Sequence, residues 1–214
     1  MERKNIVVFG ADSDLGICIT EEFANHGFYP FLIVRSDETL KPCMAALKEK
    51  DIDADYQVAD FTNGESIESA LSVAQQKTGS IDVLVYNAVL FQGGLPSELT
   101  LEDCMRCLDI YSIVSRAAEQ VVPCTNGTIL FIDGGLTPGM MSGPVGLSLS
   151  TAMTSFKFGA IALRKKMESA EVYTRIIKIN GGLGLDDYYS PEKIAAFVYR
   201  LHEERQATET EIIY

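Results

Sequence analysis

Two glycines near the start of the chain have the spacing of a phosphate-binding turn. Gly10 follows the apolar run Ile6–Phe9, and after Gly16 apolar residues recur at helical spacing. A strand, a glycine turn and a helix in this order aim free backbone N–H groups and the positive end of a helix at a pyrophosphate. The chemistry predicted here is dinucleotide binding. The candidate contacts in the turn are Gly10, Asp12, Ser13, Asp14, Leu15 and Gly16.

Two other residues have side chains that could give a proton to a ligand. Asp133 follows the apolar stretch 128–132, and Tyr111 lies in a stretch with a helical pattern. A carboxyl group serves as an acid near neutral pH only if burial raises its pKa. For Asp133 the simpler interpretation is a loop cap, and for Tyr111 it is a position in the core or at a dimer interface.

The cysteine pattern predicts neither a metal centre nor a disulfide framework. Cys104 and Cys107 form a C-x-x-C pair, but this pair lies inside a predicted helix and has no second pair of ligands. Cys18, Cys43 and Cys124 lack the spacing of a disulfide framework, so we expect free thiols. No metal is therefore expected.

The composition predicts one globular domain over residues 1–214. The chain has 214 residues, is 47% hydrophobic and carries a formal net charge of -12. This charge argues against nucleic acid or an anionic membrane as the main partner. No apolar run is long enough to span a bilayer, and no basic-then-apolar leader precedes the first strand, so we expect a cytoplasmic protein.

Strand and helix patterns alternate along the chain and would position these residues. The apolar runs are continuous, which is typical of strands in a parallel sheet covered by helices on both faces. The predicted fold class is α/β, a doubly wound, Rossmann-like parallel sheet of about seven strands. Two helices, near 102–122 and 148–167, are long, and the stretch 133–146, rich in glycine and proline, is expected to be a loop.

The order of elements and turns resembles the short-chain dehydrogenase/reductase family over nearly the whole chain. The turn Gly10-x-x-x-Asp14-x-Gly16 is similar to the family's G-x-x-x-G-x-G turn. Further similarities are Asp60 after the third strand, Tyr86–Val89 after the fourth, Gly127–Leu130 at the start of the fifth and Ile179–Gly182 after the sixth. The resemblance implies a nicotinamide dinucleotide cofactor.

Arg35 favours NADP(H) over NAD(H) as that cofactor. It stands at the end of the second strand, where the ribose is recognised, and an arginine there suits a 2′-phosphate. Asp14 occupies the position of the family's middle glycine. It is either an N-terminal helix cap or a residue that disfavours the cofactor. The remaining candidate cofactor contacts are Arg35, Ser36, Asp60, Phe61, Asn87, Ala88 and Val89.

The residues that the resemblance implies for proton transfer are replaced. The family uses a serine after the fifth strand, and a tyrosine with a lysine four residues later on one helix. Gly134, Leu147 and Thr151 stand at these positions. Ile110 or a neighbour stands where the family has an asparagine in the preceding helix. The standard proton relay is therefore expected to be lost.

A second Y-x-x-x-K does not restore the relay. Tyr189 and Lys193 have this spacing, but Ser190 and Pro191 predict that a helix starts between them, so the two side chains do not share a helical face. Only residues 181–189 separate the sixth strand from this helix, which is too short for a helical lid over a substrate. An open cleft excludes water poorly.

These replacements lead to the hypothesis of an NADP(H)-binding protein that has lost the standard relay and acts as a sensor or as a structural or regulatory partner. Two alternatives stay open. One is an NADP-dependent oxidoreductase with a non-standard acid, such as Asp133 or Tyr111, because the cofactor supplies the hydride chemistry. The other is a non-redox cyclase or isomerase that reuses the pocket for a small-molecule ligand.

A homodimer or homotetramer is expected through the two long helices. The resemblance implies that these helices pair between subunits, and the second carries an apolar stripe. The residues of this stripe are Phe156, Ala160, Leu163 and Met167. The alternative is that the stripe packs only on the sheet of its own chain.

Overall fold

The computed structural model contains one parallel sheet with helices on both faces, and it describes residues 3–61, 63–88, 100, 126–134, 157, 160–168 and 171–214. The strands are β1 (Asn5–Phe9), β2 (Tyr29–Val34), β3 (Asp55–Val58), β4 (Val83–Tyr86), β5 (Thr128–Gly134), β6 (Tyr173–Ile179) and β7 (Glu211–Ile213). The described helices are α1 (Asp14–Asn25), α2 (Asp37–Glu49), α3 (Gly64–Thr78), α4 (160–168) and α5 (Pro191–Glu204).

The order of the strands is β3-β2-β1-β4-β5-β6-β7, and all neighbouring strands are parallel. The chain therefore builds one side of β1 before it crosses to β4 and builds the other. This reversal leaves a crevice at the carboxyl ends of β1 and β4, which is where open α/β sheets bind ligands. The doubly wound, Rossmann-like parallel sheet predicted from the sequence is confirmed.

Apolar side chains of the strands fill both faces of the sheet. Val7 and Phe9 of β1 belong to a buried cluster with side chains of α3 and α4. Ile6 and Val8 point into a second cluster with side chains of α1, α2 and α5. Burial on both faces explains why the strands are continuous apolar runs. No helix within the described ranges is long and apolar enough to cross a membrane.

The apolar stripe of α4 packs on the sheet of its own chain. Ala160, Leu163 and Met167 are buried in one cluster with Ile129 of β5 and Ile176 of β6. The described part of the stripe is therefore buried within its own chain. The other residue of the stripe, at position 156, and the first long helix, near 102–122, lie outside the described residues. Self-association stays a prediction.

Strand β5 is longer than the sequence indicated. It continues through Asp133 and Gly134, which lie opposite Lys178 and Ile179 of β6. The expectation that a loop begins at Asp133, and that its side chain caps that loop, is wrong. The reason is that β6 extends far enough to keep both residues in the sheet.

A histidine is buried where α5 crosses the start of β5. His202 is 6% exposed, and its Nδ1 lies 2.9 Å from the hydroxyl of Thr128. Its ring also contacts the rings of Phe23 and Phe28, with centroids 5.5 and 5.3 Å away. Burial, with a smaller contribution from the cation of Arg205, lowers the pKa of His202 from 6.5 to about 4. His202 is therefore neutral in the folded protein at neutral pH.

His202 makes the stability of the protein depend on pH. In the unfolded chain the imidazole takes up a proton near pH 6.5, whereas in the folded protein it does so only near pH 4. Stability is therefore lost as the pH falls from 6.5 to 4, by up to about 3 kcal/mol. The unfolding free energy measured in urea at pH 7, minus that at pH 4.5, should be smaller in His202→Gln than in the wild type.

The second histidine of the chain provides the matched control. His26 is exposed, so His26→Gln should keep the pH dependence of the wild type. The comparison uses the change in unfolding free energy between the two pH values, because His202→Gln also loses packing, which lowers its stability at both. Equal pH dependence in His202→Gln and the wild type would contradict the prediction.

Candidate functional site

The turn after β1 brings the backbone against the end of β4. Gly10 has a φ of +70°, and its N–H donates to the carbonyl of Ile33 at 3.0 Å. A Cβ at Gly10 would lie 2.9 Å from the Cα of Ala88, a distance that real Cβ atoms essentially never show. Both the backbone conformation and the close approach therefore require glycine at this position.

The first turn of α1 packs directly on the Gly10 turn. A Cβ at Gly16 would lie 2.2 Å from the carbonyl oxygen of Gly10. Ser13 is the N-cap of α1, and its hydroxyl accepts from the N–H of Gly16 at 3.0 Å. The helix cap was predicted as one role of Asp14, but Ser13 is the cap. Asp14 is instead the first residue of α1, so it lies one position too late to cap the helix.

A single amide ties β4 to this turn. The Nδ2 group of Asn87 donates to the carbonyl of Gly10 at 3.2 Å and to the hydroxyl of Ser13 at 2.8 Å. The Ser13 hydroxyl in turn donates to the carbonyl of Gly10 at 3.0 Å. With one donated and two accepted hydrogen bonds, its capacity is filled. The end of β4, the turn and the start of α1 therefore form one hydrogen-bonded unit.

The N-terminus of α1 keeps open donors beside this unit. The N–H groups of Gly16 and Ile17 are taken by the side chain and the carbonyl of Ser13. Within the described part of the chain the N–H groups of Asp14 and Leu15 have no such partner, as expected for the first turn of a helix. Free N–H groups and the positive end of the helix dipole together attract an anion.

A cavity of about 630 Å³ opens at this edge of the sheet. Eight of the residues predicted from the sequence line it: Gly10, Asp12, Ser13, Leu15, Arg35, Phe61, Asn87 and Ala88. They come from the ends of β1, β2 and β4, from the first turn of α1 and from the segment after β3. The structure therefore brings together residues that lie up to 78 positions apart in the chain.

Four of the predicted cofactor contacts are not part of the described lining. Asp14 is exposed at the start of α1, and Gly16 is buried beneath the turn. Ser36 caps α2 by accepting from the N–H of Thr39 at 3.3 Å. The backbone N–H of Asp60 donates to the hydroxyl of Ser66. Val89 lies outside the described residues.

Arg35 and Phe61 give the cavity a cationic and an apolar wall. Arg35 is exposed at the end of β2, and no residue within the described ranges forms an ion pair with it. Phe61 is buried and packs on Phe9, with ring centroids 5.8 Å apart. The cation is therefore available to an anionic ligand, and the apolar wall suits a flat ring.

Asp133 is a buried carboxyl in the wall of the same cavity. It is 8% exposed at the end of β5, beside Ile132 and Gly134. Burial raises its pKa from 3.8 to about 6, against the lowering effect of the nearby Lys178. Asp133 can act as an acid near neutral pH only if burial raises its pKa. The structure meets this condition.

Part of the cavity wall comes from residues that were not among the predicted cofactor contacts. Gly181, Gly182, Leu183 and Leu185 line it from the segment after β6, and Leu185 is 83% exposed. One available signal was their place directly after the carboxyl end of a parallel strand, where ligands bind in such sheets. The Y-x-x-x-K of this region does not form a relay, because Tyr189 precedes the helix N-cap Ser190.

Comparison with known proteins agrees with this architecture. The family model described as short chain dehydrogenase matches residues 4–182. The chain belongs to the short chain dehydrogenase family. The 3-dehydrosphinganine reductase of Danio rerio is 25% identical over 186 residues, which cover 80% of this chain and 54% of that protein. The chain spans about half or less of the length of the curated relatives it matches.

Two solved structures of short chain dehydrogenases share the whole fold. A short-chain dehydrogenase from Rhodopseudomonas palustris has a TM-score of 0.83 at 16% identity, over 100% of this chain and 99% of that one. A metagenomic short-chain oxidoreductase in complex with NADP has a TM-score of 0.83 at 18% identity, over 100% and 97%. At these identities the likeness establishes the fold alone.

The catalytic positions that the short chain dehydrogenase resemblance implies are only partly described. Gly134, at the serine position, ends β5 and lines the cavity. Leu147 and Thr151 lie outside the described residues, as do Ile110 and Tyr111. Within the described ranges no group of histidine, cysteine, aspartate or glutamate could hold a metal ion.

The close approach at Gly10 predicts a specific cost for a methyl group there. Gly10→Ala must adopt a positive φ and also displace the backbone of Ala88, so it should destabilise the protein by about 2–4 kcal/mol. Gly27 also has a positive φ, of +86°, but nothing lies within 4 Å of a Cβ there. Gly27→Ala should therefore cost only about 1–2 kcal/mol. Urea unfolding measures both variants, and equal losses would contradict the tight contact at Ala88.

Proposed function

We propose that this chain binds NADP(H) in the cavity at the carboxyl ends of β1 and β4, and that it lacks the Ser-Tyr-Lys relay of its family. The observation that carries the proposal is the backbone cradle, where a Cβ at Gly10 or Gly16 would collide with the neighbouring backbone. This cradle adjoins the open N-terminus of α1, a combination that suits a pyrophosphate. The metagenomic short-chain oxidoreductase in complex with NADP has the same fold and supports this choice of ligand.

Arg35 supports the phosphorylated nucleotide over NAD(H). It lies in the cavity wall at the end of β2, the position at which a doubly wound sheet meets the adenosine ribose. Its guanidinium can donate two parallel hydrogen bonds to a 2′-phosphate. No acidic residue among the described lining residues stands at that end of β2 to accept from a free 2′-hydroxyl.

The acidic residues of the turn weaken nucleotide binding without preventing it. Asp14 is exposed outside the cavity lining, so its position in place of the family's middle glycine adds charge but no bulk within the cavity. Asp12 does line the cavity and would lie near the phosphates. Repulsion between Asp12 and the phosphates lowers the affinity for the nucleotide. A lower affinity fits a protein that senses the cellular concentration of the nucleotide and does not hold it permanently.

Gly134 supports the loss of the relay. A bound nicotinamide supplies hydride, and the family uses its serine, tyrosine and lysine to position the substrate oxygen and move the proton. At the serine position Gly134 has no hydroxyl to donate. We propose the same loss at Leu147 and Thr151. A second candidate function, carbonyl reduction with a different acid, is favoured by Asp133 in the wall of the same cavity.

Calorimetric titration with NADPH and NADH tests the proposal. NADPH should bind more tightly than NADH to the wild type, because only NADPH has the phosphate that Arg35 can bind. Arg35→Ala should weaken NADPH binding about 10- to 100-fold, as expected for the loss of a charge-assisted contact, and leave NADH binding within about twofold.

Arg200→Ala is the matched control for this titration. Arg200 is an exposed arginine of α5 outside this cavity, so its loss changes the net charge equally without touching the cavity wall. This variant should bind NADPH as the wild type does. Absence of binding to either nucleotide, or an equal loss in both arginine variants, would overturn the proposal.

A further inference from the structure

Asp133 differs from the other ionisable residues of the cavity wall. Among the described lining residues the ionisable side chains are Asp12, Arg35 and Asp133, and only Asp133 is buried. It is the penultimate residue of β5, opposite Lys178 in β6. Its carboxyl is thus fixed by the sheet at the carboxyl edge, where a ligand in the cavity would meet it.

The charges around Asp133 come from β6, from β7 and from Lys157. Lys178 of β6 and Lys157 favour the carboxylate, as does the backbone N–H of Gly134, whereas Glu211 of β7 opposes it. Lys157 is itself paired with Glu211 at 2.6 Å, so its charge is largely committed there. Loss of hydration is the largest effect, and it holds the pKa of Asp133 at about 6.

Among the described residues, the backbone N–H of Gly134 and the charges of Lys178 and Lys157 offset only part of the cost of burying this carboxyl. Within the described ranges Asp133 forms no ion pair, and as a strand residue it caps neither a helix nor a turn. A buried carboxyl with a raised pKa makes the folded protein less stable at neutral pH. Perturbed pKa values cluster at functional sites, where chemistry needs an acid or a base near neutrality.

We propose that Asp133 is the acid of this cavity and gives its proton to the carbonyl oxygen of a bound ketone or aldehyde. This inference rests on the proposed NADP(H) binding. Bound NADPH would supply the hydride for the carbonyl carbon, so that a C–H bond of the cofactor would break as a new C–H bond forms. The electron pair of the C=O π bond takes the proton from the Asp133 carboxyl. The products are the hydroxyl compound, the oxidised cofactor and the Asp133 carboxylate, which recovers a proton from water.

The environment of Asp133 suits both halves of this cycle. An acid works best when its pKa lies near the working pH, and at pH 6 about half of a group with a pKa of about 6 is protonated. After the transfer, Lys178 and the N–H of Gly134 stabilise the carboxylate. Because only the protonated form acts, the rate of reduction should fall about tenfold for each pH unit above 6.

The first test measures the protonation of Asp133 without any turnover. The protein with carboxyl-labelled aspartate should show, by carbon NMR, one aspartate that titrates near pH 6, and Asp133→Asn should lack this signal. Asp53→Asn, at an exposed aspartate outside the cavity, should retain it. Glu211→Gln should move the titration to lower pH and Lys178→Met to higher pH.

Stability provides a second readout that needs no ligand. The Asp133 contribution to the unfolding free energy should fall as the pH rises from about 4 to 6, because the unfolded chain releases the Asp133 proton first. His202 changes stability in the opposite direction over this range, so the Asp133 contribution is measured as the difference between the wild type and Asp133→Asn. Asp133→Asn should lack this component and be at least as stable as the wild type at pH 7. A lower stability of Asp133→Asn at pH 7 would indicate a structural role and overturn the proposal.

The third test follows NADPH oxidation with a set of aldehydes and ketones. Asp133→Asn should reduce the rate at least 100-fold while NADPH affinity, measured by calorimetry, stays within twofold. Asp53→Asn should match the wild type. In Glu211→Gln the midpoint of the pH-rate profile should move to lower pH, together with the NMR titration.

The outcomes separate this inference from the proposed function. If NADPH does not bind, both fail. If NADPH binds but the wild type reduces none of the probes, or if Asp133→Asn reduces them with an unchanged rate and pH profile, the role of Asp133 is overturned and NADP(H) binding stands. An aspartate titration near pH 4 in place of pH 6 would also overturn it.

Discussion

The contact between the Gly10 turn and the end of β4 is the constraint on which the rest of the site depends. The backbone of Ala88 leaves no room for a side chain at position 10, and the Asn87 amide holds the Gly10 carbonyl and the Ser13 hydroxyl together. Because the same hydroxyl caps α1, the position of the helix N-terminus follows from the position of β4. The direction in which α1 presents its free N–H groups is thus set by strand packing in the centre of the sheet.

Burial acts on an ionisable group at each end of β5, with different consequences. His202 packs against Thr128 at the start of the strand, and Asp133 lies at its carboxyl end. Burial favours the neutral form in both cases, so it lowers the pKa of the histidine and raises the pKa of the aspartate. His202 has a hydroxyl partner and an aromatic surrounding, which make it part of the core. Asp133 lines a cavity instead, where its raised pKa lets it hold a proton to higher pH than an exposed carboxyl would.

The sequence predicts the layers of the fold and the central part of the site because these depend on local patterns. Continuous apolar runs identified the strands, and the spacing of Gly10 and Gly16 identified the turn. The cap of α1 was less predictable, since Ser13 and Asp14 are adjacent and both are good capping residues. The choice between them depends on where helix packing lets α1 begin, and this start is fixed by the contact of Gly16 with Gly10.

Features that depend on distant partners could not be predicted from the local sequence. The length of β5 follows from its pairing with β6, more than 40 residues later, so Asp133 looked like a loop residue. Its burial and the nearby charges of Lys178 and Glu211 come from the same non-local pairing. The segment from Gly181 to Leu185 has neither strand nor helix periodicity. Its position after β6 and the similarity of Ile179–Gly182 to the family's turn were the signals that could have marked it as part of the cavity.

The bond between Asn87 and Gly10 joins residues 77 positions apart, and this separation has a consequence for folding. Three strands and three helices are made before β4 can pair with β1, and closing so long a segment costs entropy that only the completed sheet offsets. An N-terminal fragment that ends before β4 would contain the glycine turn without the strand that shapes it. The ability to recognise a ligand therefore arises late during folding, when the two halves of the sheet meet.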